Sequence, residues 1–156
     1  IDPGLVIKTD AVSKSKEKLG PHWEFSQSSG MAKLKMSEDS PFSIATYEGY
    51  SGASGVYRKN PDLQHVKDYG PIPRGIWTMS DPINNSNILN QKMGPNIILL
   101  TPAADTLTFD RNRYNSFYIH GGGNNASRGC PIFNLGNGRQ MMLDMLPVTR
   151  TFRVVR

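Results

Sequence analysis

The chain has 156 residues, 37% of them hydrophobic, and carries a net charge of +5 from 18 Lys and Arg against 13 Asp and Glu. That length builds one domain with a sizeable core and not two; the lone cysteine excludes an intramolecular disulfide and a multi-cysteine zinc site, and the scattered basic residues form no traceable aromatic and basic face, which argues against a nucleic-acid partner. No apolar stretch reaches the length of a membrane span, and the first residues lack the charged-then-apolar layout of a signal peptide, so a chain that is cytoplasmic, trimmed or delivered by another route is expected.

Fifteen glycines and eleven prolines point to many turns and short strands, hence a mainly β fold, a β-dominated α+β domain. Residues 1–20 mix Asp, Ser and Lys without periodicity and read as a flexible arm or linker, leaving 21–156 as the folded domain. Residues 23–27 and 32–36 alternate with period two about Ser28, Ser29 and Gly30, which predicts an opening hairpin. A strand over 42–50 gives way to a glycine-rich loop over 51–55. The proline pair Pro71 and Pro73 fixes the approach to a strand over 76–79. A polar connection over 81–95 is long enough to cover a cleft. Further strands are expected over 96–101, 106–109 and 116–119. After Cys130, residues 139–146 place Met142, Leu143, Met145 and Leu146 on one helical face, read as core, with Pro147 ending the helix. Residues 151–155 close the domain as a strand.

The chemistry concentrates between positions 120 and 130. His120 directly follows the apolar run Phe117, Tyr118, Ile119, and Cys130 stands ten residues later, with Gly121, Gly122 and Gly123 permitting the chain to reverse between them. A thiol attacks only as thiolate, and a neighbouring imidazole can take its proton, so the pair is a candidate nucleophile and base. The plain alternative is a small apolar cysteine filling a core gap. His22 and His65 have no partner cluster with ligand spacing, so they read as structural or surface histidines, and neither a metal nor another cofactor is expected.

The positions His120, Gly121, Ser127, Gly129 and Cys130 form a strand-His-Gly then Ser-x-Gly-Cys pattern that resembles the active-site signature of the L,D-transpeptidase catalytic domain, the YkuD-type fold. The short gap from histidine to cysteine, and Ile132 where housekeeping members carry arginine, look more like the type VI secretion L,D-transpeptidase effectors, antibacterial toxins of that superfamily. Residues 60–64, 70–75 and 23–27 look similar to that family too, so the resemblance runs from about Trp23 to Val155.

The resemblance implies an L,D-transpeptidase-like β-sandwich with one short helix after the catalytic cysteine. It implies a cysteine L,D-transpeptidase or L,D-carboxypeptidase with Cys130 as nucleophile and His120 as base. The substrate would be the tetrapeptide stem of peptidoglycan, cut before its terminal D-alanine, the acyl group passing to water or to a free D-amino acid. Such a protein would be secreted by its producer, act in the periplasm of a target cell, meet an immunity protein there, and work as a monomer without a membrane partner. Backbone around Arg128, Gly129 and Cys130 would face the oxyanion, with Gly121 and Ser127 shaping the site and Arg128 available to a carboxylate. No Asp or Asn can be assigned by spacing to orient the imidazole, Asp110 and Asn115 included, and a backbone carbonyl would serve as well. Two competing readings are a noncatalytic wall-binding module that uses the basic surface, and a cysteine peptidase acting on proteins. Papain-like enzymes place Cys before His, the reverse of the order here, whereas sortases run His before Cys with a later strand arginine, for which Arg153 is the candidate.

Overall fold

Period-two alternation decides what each strand buries. The computed structural model describes residues 18–84, 96–111, 116–121, 128–133 and 138–156, so the expected arm over 1–20 lies almost wholly outside the described residues. In β1 (His22–Ser26) Trp23 and Phe25 are fully buried, and in β2 (Met31–Lys35) Ala32 and Leu34 are. The same alternation buries Trp77 and Met79 of β4 (Gly75–Ile83) and Phe152 and Val154 of β7 (Thr151–Val155). β3 (Ala45–Glu48), β5 (Ile97–Pro102) and β6 (Phe117–Ile119) complete the set.

These strands form one curled seven-stranded sheet in the order β3-β2-β1-β7-β4-β5-β6. The first and last strands lie side by side at its centre, Trp23 opposite Phe152 in a parallel pair, while the remaining pairings are antiparallel. The inward faces share one apolar cluster in which Phe25 stacks on Phe152 at 5.6 Å and meets Phe133 edge-on at 5.9 Å. Phe133 lies three residues after the cysteine, so the segment carrying the thiol is pinned into the core by an aromatic anchor. The fold is mainly β, as expected, with one short helix among the described residues, α1 (Gly138–Asp144), following Cys130. Met142 of α1 is fully buried and Leu146 nearly so, which places the methionine-rich face in the core.

Three expected elements differ. Residues 106–109 form no strand: the Thr106 hydroxyl donates to the Ile76 carbonyl at 2.8 Å and accepts from the Ile76 amide at 3.1 Å. Phe109 and Asp110 then turn the chain in the left-handed region. A side chain thus occupies the edge of β4 that a strand would have paired with. The strand expected over 42–50 shrinks to Ala45–Glu48, because Ser40 hydrogen-bonds Phe42 into a turn and Phe42 stays 80% exposed. β4 instead runs on through Pro82 to Ile83, a register shift between Met79 and Pro82 accommodating the proline. That takes 81–83 out of the expected polar connection, the rest of which, over 85–95, lies outside the described residues. No helix among the described residues is long and apolar enough to cross a membrane.

Candidate active site

β6 is the last strand of the sheet, and the segment around Cys130 extends that edge. His120 donates its amide to Pro131 O at 3.2 Å and its carbonyl accepts from Phe133 N at 2.9 Å, a parallel bridge between His120 and Ile132. On its other side Ile132 exchanges both backbone bonds with Tyr50, at 2.8 and 3.0 Å. Held between two partners, the segment has no freedom to slip. Parallel register then sets Cys130 level with Tyr118, and the Tyr118 amide donates to the Cys130 Sγ at 3.3 Å. Thiol and imidazole therefore sit two positions apart on adjoining strands, an axial offset of about 6–7 Å at the strand rise.

His120 is only 6% exposed, and its Nδ1 lies 2.8 Å from the Gly121 carbonyl. A carbonyl only accepts, so Nδ1 carries the proton and Nε2 keeps the lone pair. The orienting group is a backbone carbonyl, an option that spacing alone had left open. Burial pulls the proton affinity of His120 below the ordinary imidazole value; the Gly121 carbonyl opposes this and the Arg139 charge adds to it. Burial likewise pushes the Cys130 thiol up to about 11, against the Tyr118 amide and the Arg111 charge, which favour the thiolate. Both groups are therefore neutral near pH 7, and the pair is not a preformed thiolate and imidazolium.

The loop before the thiol is braced by residues that the sequence did not single out. Arg111, 3% exposed, donates to the carbonyls of Gln64, Pro71, Gly70 and Arg128 at 2.5, 2.6, 2.9 and 3.2 Å. Its guanidinium also lies over the Phe117 ring at 5.3 Å. Ser51, fully buried, donates to the Gly129 carbonyl at 2.7 Å and accepts from the Ile72 amide at 2.8 Å. The Gly70–Gly75 segment, read from sequence as structural, is thus the wall behind the cysteine loop. Gln64 ties the same wall to the sheet: its side-chain oxygen accepts from Arg74 N at 2.9 Å and from Gln27 Nε2 at 3.0 Å. Gly129 is required where this bracing closes, at φ 108°, because a Cβ would lie 2.6 Å from the Phe117 ring and 2.8 Å from the Arg111 guanidinium. An arginine in a polar loop and a serine before a glycine run carry no local signal of this role.

Of the other expected site residues, Ser127 lies outside the described residues. Arg128 has an exposed side chain and joins the site through its carbonyl. Gly121 contributes the carbonyl that holds His120, and its Cα lies directly against Arg139 of α1. His22 is fully buried, its Nδ1 2.7 Å from the Gly20 carbonyl, and His65 packs edge-on near Phe109; neither reaches the pair. Arg153, the sortase-like candidate, faces away from the core and pairs with Glu38 at 3.0 Å. No cluster of three or more His, Cys, Asp or Glu among the described residues has the arrangement to hold a metal ion. A cavity of about 770 Å³ opens on the outer face of β4 and β7, among Leu19, Arg74, Ile76, Arg153 and Arg156. It includes neither His120 nor Cys130, so it is not the cleft of this pair.

Comparison with known proteins gives two findings. The family model of the Tlde1 domain matches residues 45–156. Among solved structures the chain is similar to the helical cell shape determining protein Pgp2 from Campylobacter jejuni, with a TM-score of 0.55 and 14% identity over 88% of this chain and 49% of that one. At that identity the likeness is one of fold, and the chain spans about half the length of that structure. No curated protein sequence matches the chain.

Proposed function

The chain belongs to the Tlde1 domain family, the type VI secretion L,D-transpeptidase effector domains, and from that premise we propose that it is a peptidoglycan-acting cysteine enzyme with Cys130 as nucleophile and His120 as base. The observation that carries this reading is the parallel register that sets Cys130 beside β6, two positions from an imidazole whose Nε2 is left as acceptor. The substrate is the tetrapeptide stem. Cys130 Sγ adds to the carbonyl that precedes the terminal D-alanine while its proton passes to His120 Nε2. Collapse of the tetrahedral intermediate breaks the C–N bond, His120 returns the proton to the departing amine, and a thioester remains. Water then releases a tripeptide, or the amine of a free D-amino acid takes its place, and the thiol is regenerated. Both outcomes remove donors for cross-linking, which suits an antibacterial effector delivered to a rival's periplasm and countered by an immunity protein.

Neutral partners make His120 indispensable, since at pH 7 almost none of the thiol is ionised on its own. Gly121 holds the imidazole, and the braced backbone over 128–130 borders the reacting carbonyl. The test is mass spectrometry of purified disaccharide-tetrapeptide incubated with the protein, with and without D-methionine. Loss of D-alanine or its replacement by D-methionine, absent in Cys130→Ala and His120→Ala, supports the reading. Unchanged turnover in either variant, or no change in the stem with the intact protein, overturns it.

A further inference from the structure

Arg139 is the feature that the mechanism does not use. Its Nη1 is buried and has no hydrogen-bond partner among the described residues. No carboxylate among them pairs with it either, whereas both terminal nitrogens of Arg111 donate to carbonyls and only its Nε is left over. The group lies over Gly121, where a Cβ would come within 2.4 Å of Nη1, so glycine at this position lets a cation approach the residue that orients the catalytic imidazole. Arg139 is half-buried, and a dry, unpaired donor on a charged group is unfavourable in a folded protein. Among the described residues no hydrogen bond ties this nitrogen to a neighbouring element. Its charge also disfavours protonation of His120, the opposite of what an imidazole awaiting a proton needs unless an anion arrives with the substrate.

We propose that Arg139 is the carboxylate-binding residue of this site, taking a carboxylate of the peptide stem beside His120 and Gly121. The inference rests on the proposed function for its substrate class and goes beyond it in naming the specificity residue. A planar guanidinium matches a carboxylate in fork geometry. A bound carboxylate satisfies the orphaned donor and screens His120 from the Arg139 charge, which raises the imidazole's proton affinity as the thiol proton departs. Two carboxylates of a stem have the required chemistry, that of the terminal D-alanine and the second one of a meso-diaminopimelate residue.

The test compares kcat/KM on three tetrapeptides: the free stem, its C-terminal amide, and the stem with lysine in place of diaminopimelate. Wild type is expected to favour the free stem over one of the two altered peptides by roughly 10- to 150-fold, the worth of a charge-assisted hydrogen bond. Which peptide is disfavoured identifies the carboxylate. In Arg139→Gln that preference is expected to fall below about threefold, and Arg139→Lys is expected to restore part of it. Equal slowing on all three peptides in both variants, or an undiminished preference, overturns the inference while leaving the proposed function standing. Should wild type turn over no stem, the proposed function fails separately, and calorimetric titration of the same peptides into Cys130→Ala, with and without Arg139→Gln, decides the inference. Binding that depends on both the carboxylate and Arg139 upholds it, and the absence of such binding refutes it.

Discussion

A thiol held at about 11 makes a sharp prediction for alkylation by iodoacetamide. At pH 7 the thiolate fraction is about 10⁻⁴, against about 10⁻² for a thiol at its ordinary 9.0. The more basic thiolate is the better nucleophile, and with a Brønsted slope of about 0.4–0.5 this recovers roughly six- to tenfold. Folded protein should therefore react at least about tenfold more slowly than the same chain in urea, before any steric protection is counted. The rate should climb about tenfold per pH unit and level off only near 11. Stability provides a second readout. A thiol raised in the folded state holds its proton more tightly than in the unfolded chain, so the contribution is complete below pH 9.0 and lost as the pH rises through about 11. At 1.36 kcal/mol per unit the loss is roughly 3 kcal/mol, measured as a fall in urea midpoint that Cys130→Ala does not show. An alkylation profile that levels off below pH 8 would mean a preformed thiolate, and would refute both the neutral pair and the claim that burial outweighs Tyr118 and Arg111.

Three further outcomes are expected. Arg111→Met removes a cation from four backbone carbonyls; stranding such acceptors costs about 1–3 kcal/mol each, partly offset by relief of the buried charge. A net loss of about 2–5 kcal/mol in urea unfolding is expected, and a loss under about 1 kcal/mol would mean that Arg111 does not brace the loop. Gly129→Ala should cost about 2–4 kcal/mol from its φ of 108° and its contacts with Phe117 and Gly70, with turnover falling as the cysteine is displaced; a wild-type melting curve would count against the closure drawn at this position. Because His120 is held below its ordinary value when folded, the unfolded chain binds the proton more readily. Stability should then decline as the pH falls below 6.5, and His120→Gln should flatten that slope in thermal melts at pH 7 and pH 5; equal slopes would argue against a buried neutral imidazole.

Local pattern by itself determined much of this protein. Alternation in 23–27 and 32–36, the approach fixed by the proline pair before 76–79, and the closing stretch 151–155 marked four strands to within a residue at their starts, because a strand with one buried face writes that face into its own sequence. The candidacy of His120 and Cys130 as a chemical pair could be stated from sequence because the histidine follows an apolar strand and the lone cysteine stands ten residues on. Tertiary structure decided what depends on distant partners. The pairing of β1 with β7 joins the two ends of the described domain, and no periodicity specifies a neighbour. The strand expected over 106–109 failed because the Thr106 hydroxyl met Ile76, 30 residues away. Arg111 reaches carbonyls 17 to 47 residues distant, and Arg139 meets Gly121 only once α1 has packed against the core. A polar side chain in a loop has the same local appearance whether solvated or buried. Which of them the folded chain strips of water, and which it leaves without a partner, is settled only when the sheet closes and distant backbone surrounds them.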